Sequence, residues 1–251
     1  MQHIMRFPLL VLALSLVVMW VSARIGATFR KLEEDLREDF GIVRGTTLTL
    51  LAVIIGFSFS MASSRFDQRK DLESAEANAI STEYARADFL PPATTSRVRT
   101  LLANYLDQRL LYYETRDYRK LGQIDSTTAR LEAELWSTVE PPTAAQPTQI
   151  AALVVSGLND VLNSRGNTQS AWLNRIPSAA WGLMIVIAVC CNLLVGYGAQ
   201  RREGKARMLF VLPLIIAICF CLIADIDSPR GGVVRVHPVS LEIIAQSLRA
   251  Q

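Results

Sequence analysis

Histidine is almost absent from this chain, and cysteine is scarce. His3 and His237 are the only histidines, and neither has ligand-type neighbours. The four cysteines, Cys190, Cys191, Cys219 and Cys221, all lie inside uncharged runs, where a thiol behaves as a small buried hydrophobe. Without metal-type spacing, these residues give neither a disulfide framework nor a zinc site, and no metal ligands are expected. Nor is there a glycine-rich phosphate cradle, or a nucleophile placed beside a base. The expectation is a protein that is not an enzyme, with no catalytic residues and no cofactor. A net charge of +3 without a basic patch interleaved with aromatics excludes nucleic acid as a partner. The hydrophilic middle of the chain also lacks the apolar–polar alternation of strands.

Apolar residues are plentiful and come in long blocks. They make up 51% of the chain, mean hydropathy is +0.26, and the class therefore moves from soluble to membrane. The chain is organised around residues 46–65, TTLTLLAVIIGFSFSMASSR, in which nothing is charged before Arg65. Such a run, at about 1.5 Å per residue, matches a bilayer's hydrocarbon core. Thr49, Val53, Gly56, Ser60 and Ser63 recur at spacings of four and three and share one stripe. Leu51, Ile54 and Ile55 lie opposite, with Phe57 and Phe59 flanking the stripe. Small and hydroxyl-bearing side chains are best used in lipid against another helix or against water. The stripe is therefore either a helix-packing face or a pore-lining face.

Residues 7–23 form a first uncharged run between Arg6 and Arg24. Val21-Ser22-Ala23 loosely resembles a signal cleavage site, but the run is long for a signal and a second span follows closely. A retained membrane helix is the better reading. The segment 24–45 contains RKLEEDLRED, with a favourable Glu33/Arg37 pair, and reads as a short solvated loop helix. Residues 176–200 are again uncharged, with the helix expected to begin at Ala179 after Pro177, and Trp181 and Tyr197 placed as interfacial aromatics. The basic turn RREGKAR leads to a fourth span, 208–224.

The interval between the second and third spans has helical periodicity, with Pro91-Pro92 and Pro141-Pro142 marking breaks. Helices are expected over 72–89, over 97–115 with Thr94 or Thr95 as cap, over 126–137 after Ser126, and over 149–164 after Thr148. Val98, Leu101, Leu102, Tyr105, Leu106 and Leu110 form one broad apolar face. Ile150, Leu153, Val154, Leu158, Val161 and Leu162 form another. The acidic pairs Glu73/Glu76 and Glu132/Glu134 are expected on solvated helix surface. After the last span, Asp225 and Asp227 precede Ser228-Pro229-Arg230-Gly231-Gly232. They are either membrane-mouth charges that set selectivity, or turn-shaping partners of Arg230 and Arg235. An amphipathic tail helix follows, with Leu241, Ile244 and Leu248 on its stripe.

The fold class that results is all-α, with four transmembrane helices and a helical soluble domain inserted between spans 2 and 3. Its parts are residues 7–64 (spans 1 and 2), 65–175 (soluble domain), 176–226 (spans 3 and 4) and 227–251 (tail). Counting Lys and Arg in the two short loops favours those loops in the cytoplasm and the soluble domain outside.

The segment GFSFSMASSRFDQRK resembles the second transmembrane helix of bestrophins, in which a glycine-phenylalanine pair is followed by an arginine and then an aromatic. Gly56, Phe57, Arg65 and Phe66 match that arrangement. More closely, the chain is similar to the bacterial bestrophin-like family in GFSFSMASSRFDQRKDLESAEANAI, YARADFLPP and IADIDSPRGGVVRV. This resemblance implies a multi-pass protein of the bacterial inner membrane, built as a homo-oligomer, a pentamer in most bestrophins. It also implies an anion-type channel with inorganic ions as partners, Phe57 near the permeation path, and a cytosolic soluble domain. The acidic run of calcium-gated animal members is missing, and Phe66-Asp67 stands where bestrophins have paired tryptophans. The pore-lining candidates are thus Thr49, Val53, Gly56, Phe57, Ser60 and Ser63. The membrane-mouth charges are Arg65, Arg69, Asp225 and Asp227. The competing expectation is a non-conducting, membrane-anchored interaction or sensing protein that works through its soluble domain.

Overall fold

The computed structural model describes residues 8–29, 37–198 and 208–250. They form α1 (Pro8–Thr28), α2 (Arg37–Arg86) with a 3₁₀ turn at Ala87–Phe89, α3 (Pro92–Glu114) and α4 (Tyr118–Ala145). They continue as α5 (Gln149–Leu173), α6 (Ser178–Gly198), α7 (Met208–Asp227) and α8 (Val239–Arg249). Among the described residues there is no strand. Four stretches are long and apolar enough to cross a membrane: Pro8–Thr28, one within Glu38–Phe89, one within Gln149–Gly198, and Leu209–Asp227. The all-α class with four spans is therefore correct. His3, Arg6, most of the RKLEEDLRED segment and the RREGKAR turn lie outside the described residues. The first and second spans both reach further than their uncharged runs. α1 continues past Arg24 to Thr28, and α2 begins at Arg37, so the connection is shorter than residues 24–45.

Two compact units divide the chain: Met1–Phe66 with Arg175–Arg235, and Asp67–Asn174 with Val236–Gln251. In the first, α1 packs against α6 and α7. Gly26 lies against the Leu193 backbone and Gly196 against the Ala23 backbone, and a Cβ at either position would strike a carbonyl oxygen. Only glycine allows so close a crossing, and with it α1 becomes an integral part of the bundle. Met19, Met184, Ala188, Cys191, Ile216, Phe220 and Ile223 fill the centre. Trp181, expected as an interfacial aromatic, packs inside the bundle instead of facing outward. It is 2% exposed, its ring edge-on to Phe220 at 6.0 Å, because α6 turns this face inward. Tyr197 packs edge-on to Phe40 at 5.2 Å.

The second unit is the end of α2 with α3, α4, α5 and α8. Val98, Leu102, Tyr105, Leu106, Leu135, Val154, Leu158, Val161 and Leu241 build its core. The periodic faces of α3 and α8 are found where periodicity puts them. On α5 the outer edge, Ile150 and Leu153, is exposed instead. α4 runs through Pro141-Pro142 rather than breaking there. Pro141 is exposed, so the carbonyl it leaves without an N–H partner one turn earlier is within reach of water. The caps also differ in part. Asp117 caps α4 by accepting from Arg119 N–H at 2.8 Å, nine residues before Ser126. Thr95 lies inside α3, and its hydroxyl donates backwards to the Ala87 carbonyl at 2.8 Å. Thr148 does cap α5, accepting from Ala151 N–H at 3.1 Å.

Candidate functional site

α2 is a single helix of 50 residues, and its membrane part leaves most of its surface uncovered by its own chain. Only 6% of its most apolar 18-residue window is buried, against 28, 33 and 39% for the corresponding windows of the other three. Over residues 46–64 it buries Leu51, Ser58 and Ala62, of which Leu51 and Ala62 belong to the first unit's core. The Thr49–Val53–Gly56–Ser60 stripe lies away from them. Phe57 is 70% exposed, Val53 is 47% exposed, and among the described residues a Cβ at Gly56 would meet no atom within 4 Å. Ser63 is half-buried and the remaining stripe residues are exposed. Thr49 turns its hydroxyl onto the Gly45 carbonyl at 3.1 Å, which satisfies its proton while leaving oxygen lone pairs outward.

Asp225 accepts the backbone N–H groups of Val233 and Val234, both at 2.8 Å. It clasps the SPRGG turn onto the end of α7, and Gly232 sits so close that a Cβ there would press on this carboxylate. Asp227 accepts the Ile176 N–H at 3.1 Å, and Arg65 Nη1 lies 3.7 Å from its Oδ1. Arg69, within the second unit, is buried and donates to the carbonyls of Ala171 and Asn174 at 3.2 and 3.1 Å. Those are orphan carbonyls at the α5 C-terminus, where a cation is electrostatically favoured.

The expectation that Glu73, Glu76 and Glu132 are solvated is overturned. Glu76 and Arg109 are both fully buried and paired. The Glu76 carboxylate also accepts from Tyr113 Oη at 3.1 Å and from the Thr168 hydroxyl at 3.2 Å. Burial alone would lower the pKa of Arg109, but the Glu76 charge and hydrogen bond outweigh it and raise it. Burial, reinforced by Glu76, pushes the Tyr113 phenol up as well. The Arg109 guanidinium also stacks 4.5 Å from the Tyr112 ring centroid. Glu132 takes a 2.6 Å bond from Arg165. Glu73 accepts the Leu241 N–H at 2.9 Å. These acids fall on the same helical period as the apolar core positions, a signal obscured by reading charge as exposure. Burial of Glu76 needed Arg109, Tyr113 and Thr168 from other helices, which periodicity along α2 could not supply.

Among the described residues no group of histidines, cysteines and acids could hold a metal ion. A cleft of about 700 Å³ opens between α4 and α5, lined by Trp136, Thr143, Pro147, Ala151 and Val155 among others.

A family model described as the bestrophin-like domain matches residues 9–241. Among solved structures, the chain is similar to a bacterial bestrophin homologue from Klebsiella pneumoniae. The identity is 16% and the TM-score 0.66, with 96% of this chain and 97% of that one covered. A tryptophan-to-alanine variant of the same homologue gives 14% identity and a TM-score of 0.65, covering 95% and 94%. A leucine-to-threonine variant gives 16% and 0.63, covering 95% and 98%. No curated protein sequence matches.

Proposed function

Since the chain belongs to the bestrophin-like family, we infer that it is an oligomeric membrane channel in which α2 of each copy lines a shared path. The observation carrying this reading is the bareness of the α2 span, whose most apolar window is 6% buried where those of the other spans are 28 to 39% buried. A stripe of hydroxyls and a glycine has little use against acyl chains, and a four-span protomer has too little surface to enclose water by itself. Copies arranged about a cyclic axis would turn Thr49, Val53, Gly56, Ser60 and Ser63 toward sister subunits or the axis. Hydroxyls would then replace part of an ion's hydration, and Phe57 would narrow the path and gate it by dewetting. The permeant species is read as an inorganic anion, and the setting as the bacterial inner membrane. Arg65, held 3.7 Å from Asp227, keeps a cation at the end of that span.

The test is the oligomeric state of the purified protein in detergent, followed by planar-bilayer recording across several salts. A homo-oligomer that conducts, with a reversal potential following the anion gradient, supports the reading. A strict monomer, or an assembled protein silent in every salt, overturns it. The second reading, a membrane-anchored docking or sensing protein, is favoured by the α4–α5 cleft and its half-exposed Trp136. Stoichiometric capture of one partner protein by the assembled but silent chain would select it.

A further inference from the structure

Among the described residues, Glu83 is the one acid of the second unit that is buried with nothing bound to it. Its side chain is fully inaccessible, and neither carboxylate oxygen has a hydrogen-bond partner. It lies where α2 crosses α5 at Gly157, and a Cβ at that glycine would collide with its Oε2. The same missing Cβ makes room for Arg86, whose Nη1 donates to the Leu153 carbonyl at 3.1 Å and so ties α2 to α5. An ionised carboxylate with no partner is among the costliest things a core can hold, whereas the neutral acid is tolerable.

We propose that Glu83 is a protonation-sensitive latch between α2 and α5, closed while its carboxyl is neutral and released when it ionises. The charged groups acting on it are Arg86 on its own helix and Asp160 on α5, and none from α3, α4 or α8 among the described residues. Burial raises its pKa to about 8, Arg86 opposing this and Asp160 adding to it. Near neutral pH the acid therefore keeps its proton, and Arg86 remains free to hold the Leu153 carbonyl. Loss of the proton creates a buried anion that attracts Arg86 away from that carbonyl, is repelled by Asp160, and draws water into the crossing. The α2–α5 contact then loosens at residues 151–161. This rests only on packing within the helical unit and holds whether or not the protein conducts.

The test is hydrogen–deuterium exchange on the full chain in lipid nanodiscs at about pH 6 and about pH 10, corrected for intrinsic rates, alongside infrared titration of carboxylic-acid C=O absorption. In the wild type, amides of residues 151–161 are expected to exchange at least about tenfold faster at the higher pH. Glu83→Gln should hold them at the slow rate throughout and lack one carboxylic-acid signal that the wild type loses in this range. Equal pH dependence in both proteins overturns the proposal. Should Glu83→Gln fail to fold, the wild-type titration decides. No carboxylic-acid signal lost across the range, or loss without faster exchange, overturns it.

Discussion

Glu73 Oε1 accepts the backbone N–H of Leu241 at 2.9 Å, across 168 residues of chain. α8 begins after Pro238, which has no side chain to cap it, so an acid on α2 supplies the acceptor from outside the helix. A carboxylate at a helix N-terminus is favoured by both the free N–H groups and the helix dipole. This contact, with Arg249 on Asp107 at 2.8 Å, makes the tail part of the helical unit rather than a loose appendage.

Glu73→Ala should therefore free α8 before it disturbs anything else. The cost is expected at about 1–3 kcal/mol, the range for a buried bond to a charged acceptor. Limited proteolysis should cut the variant within residues 236–250 while the rest of the unit resists. Uniform cleavage of the whole unit would instead mean that Glu73 supports the core.

Glu76 and Arg109 should behave as a buried ion pair does. Glu76→Gln or Arg109→Leu alone strands its partner and should cost about 3–5 kcal/mol, whereas Glu76→Leu with Arg109→Leu should cost less than the sum of its single changes. Thermal denaturation in detergent measures all of these. Strict additivity would mean that the two residues act separately.

The pH dependence of stability has a definite sign at Glu83. Its folded pKa of about 8 lies above the ordinary carboxylate value of 4.5, so between those values the folded chain holds a proton that the unfolded chain has lost. Stability from this group falls as pH rises through that window and stays low above it. The advantage of Glu83→Gln over the wild type should be near zero below about pH 4.5. It should then grow by about 1.4 kcal/mol for each step of one in pH, reaching a few kcal/mol above about pH 8. Chemical denaturation at a series of pH values would show it, and a pH-independent difference would refute it.

Asp225 offers a choice between permeation and architecture. With two backbone N–H groups bound at 2.8 Å, Asp225→Asn leaves at least one poorly matched and should lower stability by about 1–3 kcal/mol without altering ion selectivity. An unchanged melting temperature with a shifted reversal potential would make it a permeation charge instead.

On α2, Gly56→Trp or Ser60→Leu should abolish conductance while leaving assembly intact, because none of the described residues contacts a Cβ at Gly56. Size-exclusion chromatography and bilayer recording on the same preparation separate the two effects. Undiminished current in both variants would remove the stripe from the pore.

Uncharged run lengths by themselves determined the four spans and the all-α class, because a bilayer requires unbroken apolar helix and hydropathy records that locally. The apolar faces of α3 and α8 were equally legible, since a 3.6-residue period is a property of neighbouring positions. Tertiary structure alone decided what became of the charges. Glu76 is buried because Arg109, Tyr113 and Thr168 come to it from two other helices, and Arg69 because the last carbonyls of α5 lie beside it. Asp225 and Asp227 became clasps because the fold brings the N–H groups of Val233 and Val234 to the first and that of Ile176 to the second. Whether a charged side chain faces water or a partner depends on groups far away in sequence, and periodicity carries no record of them.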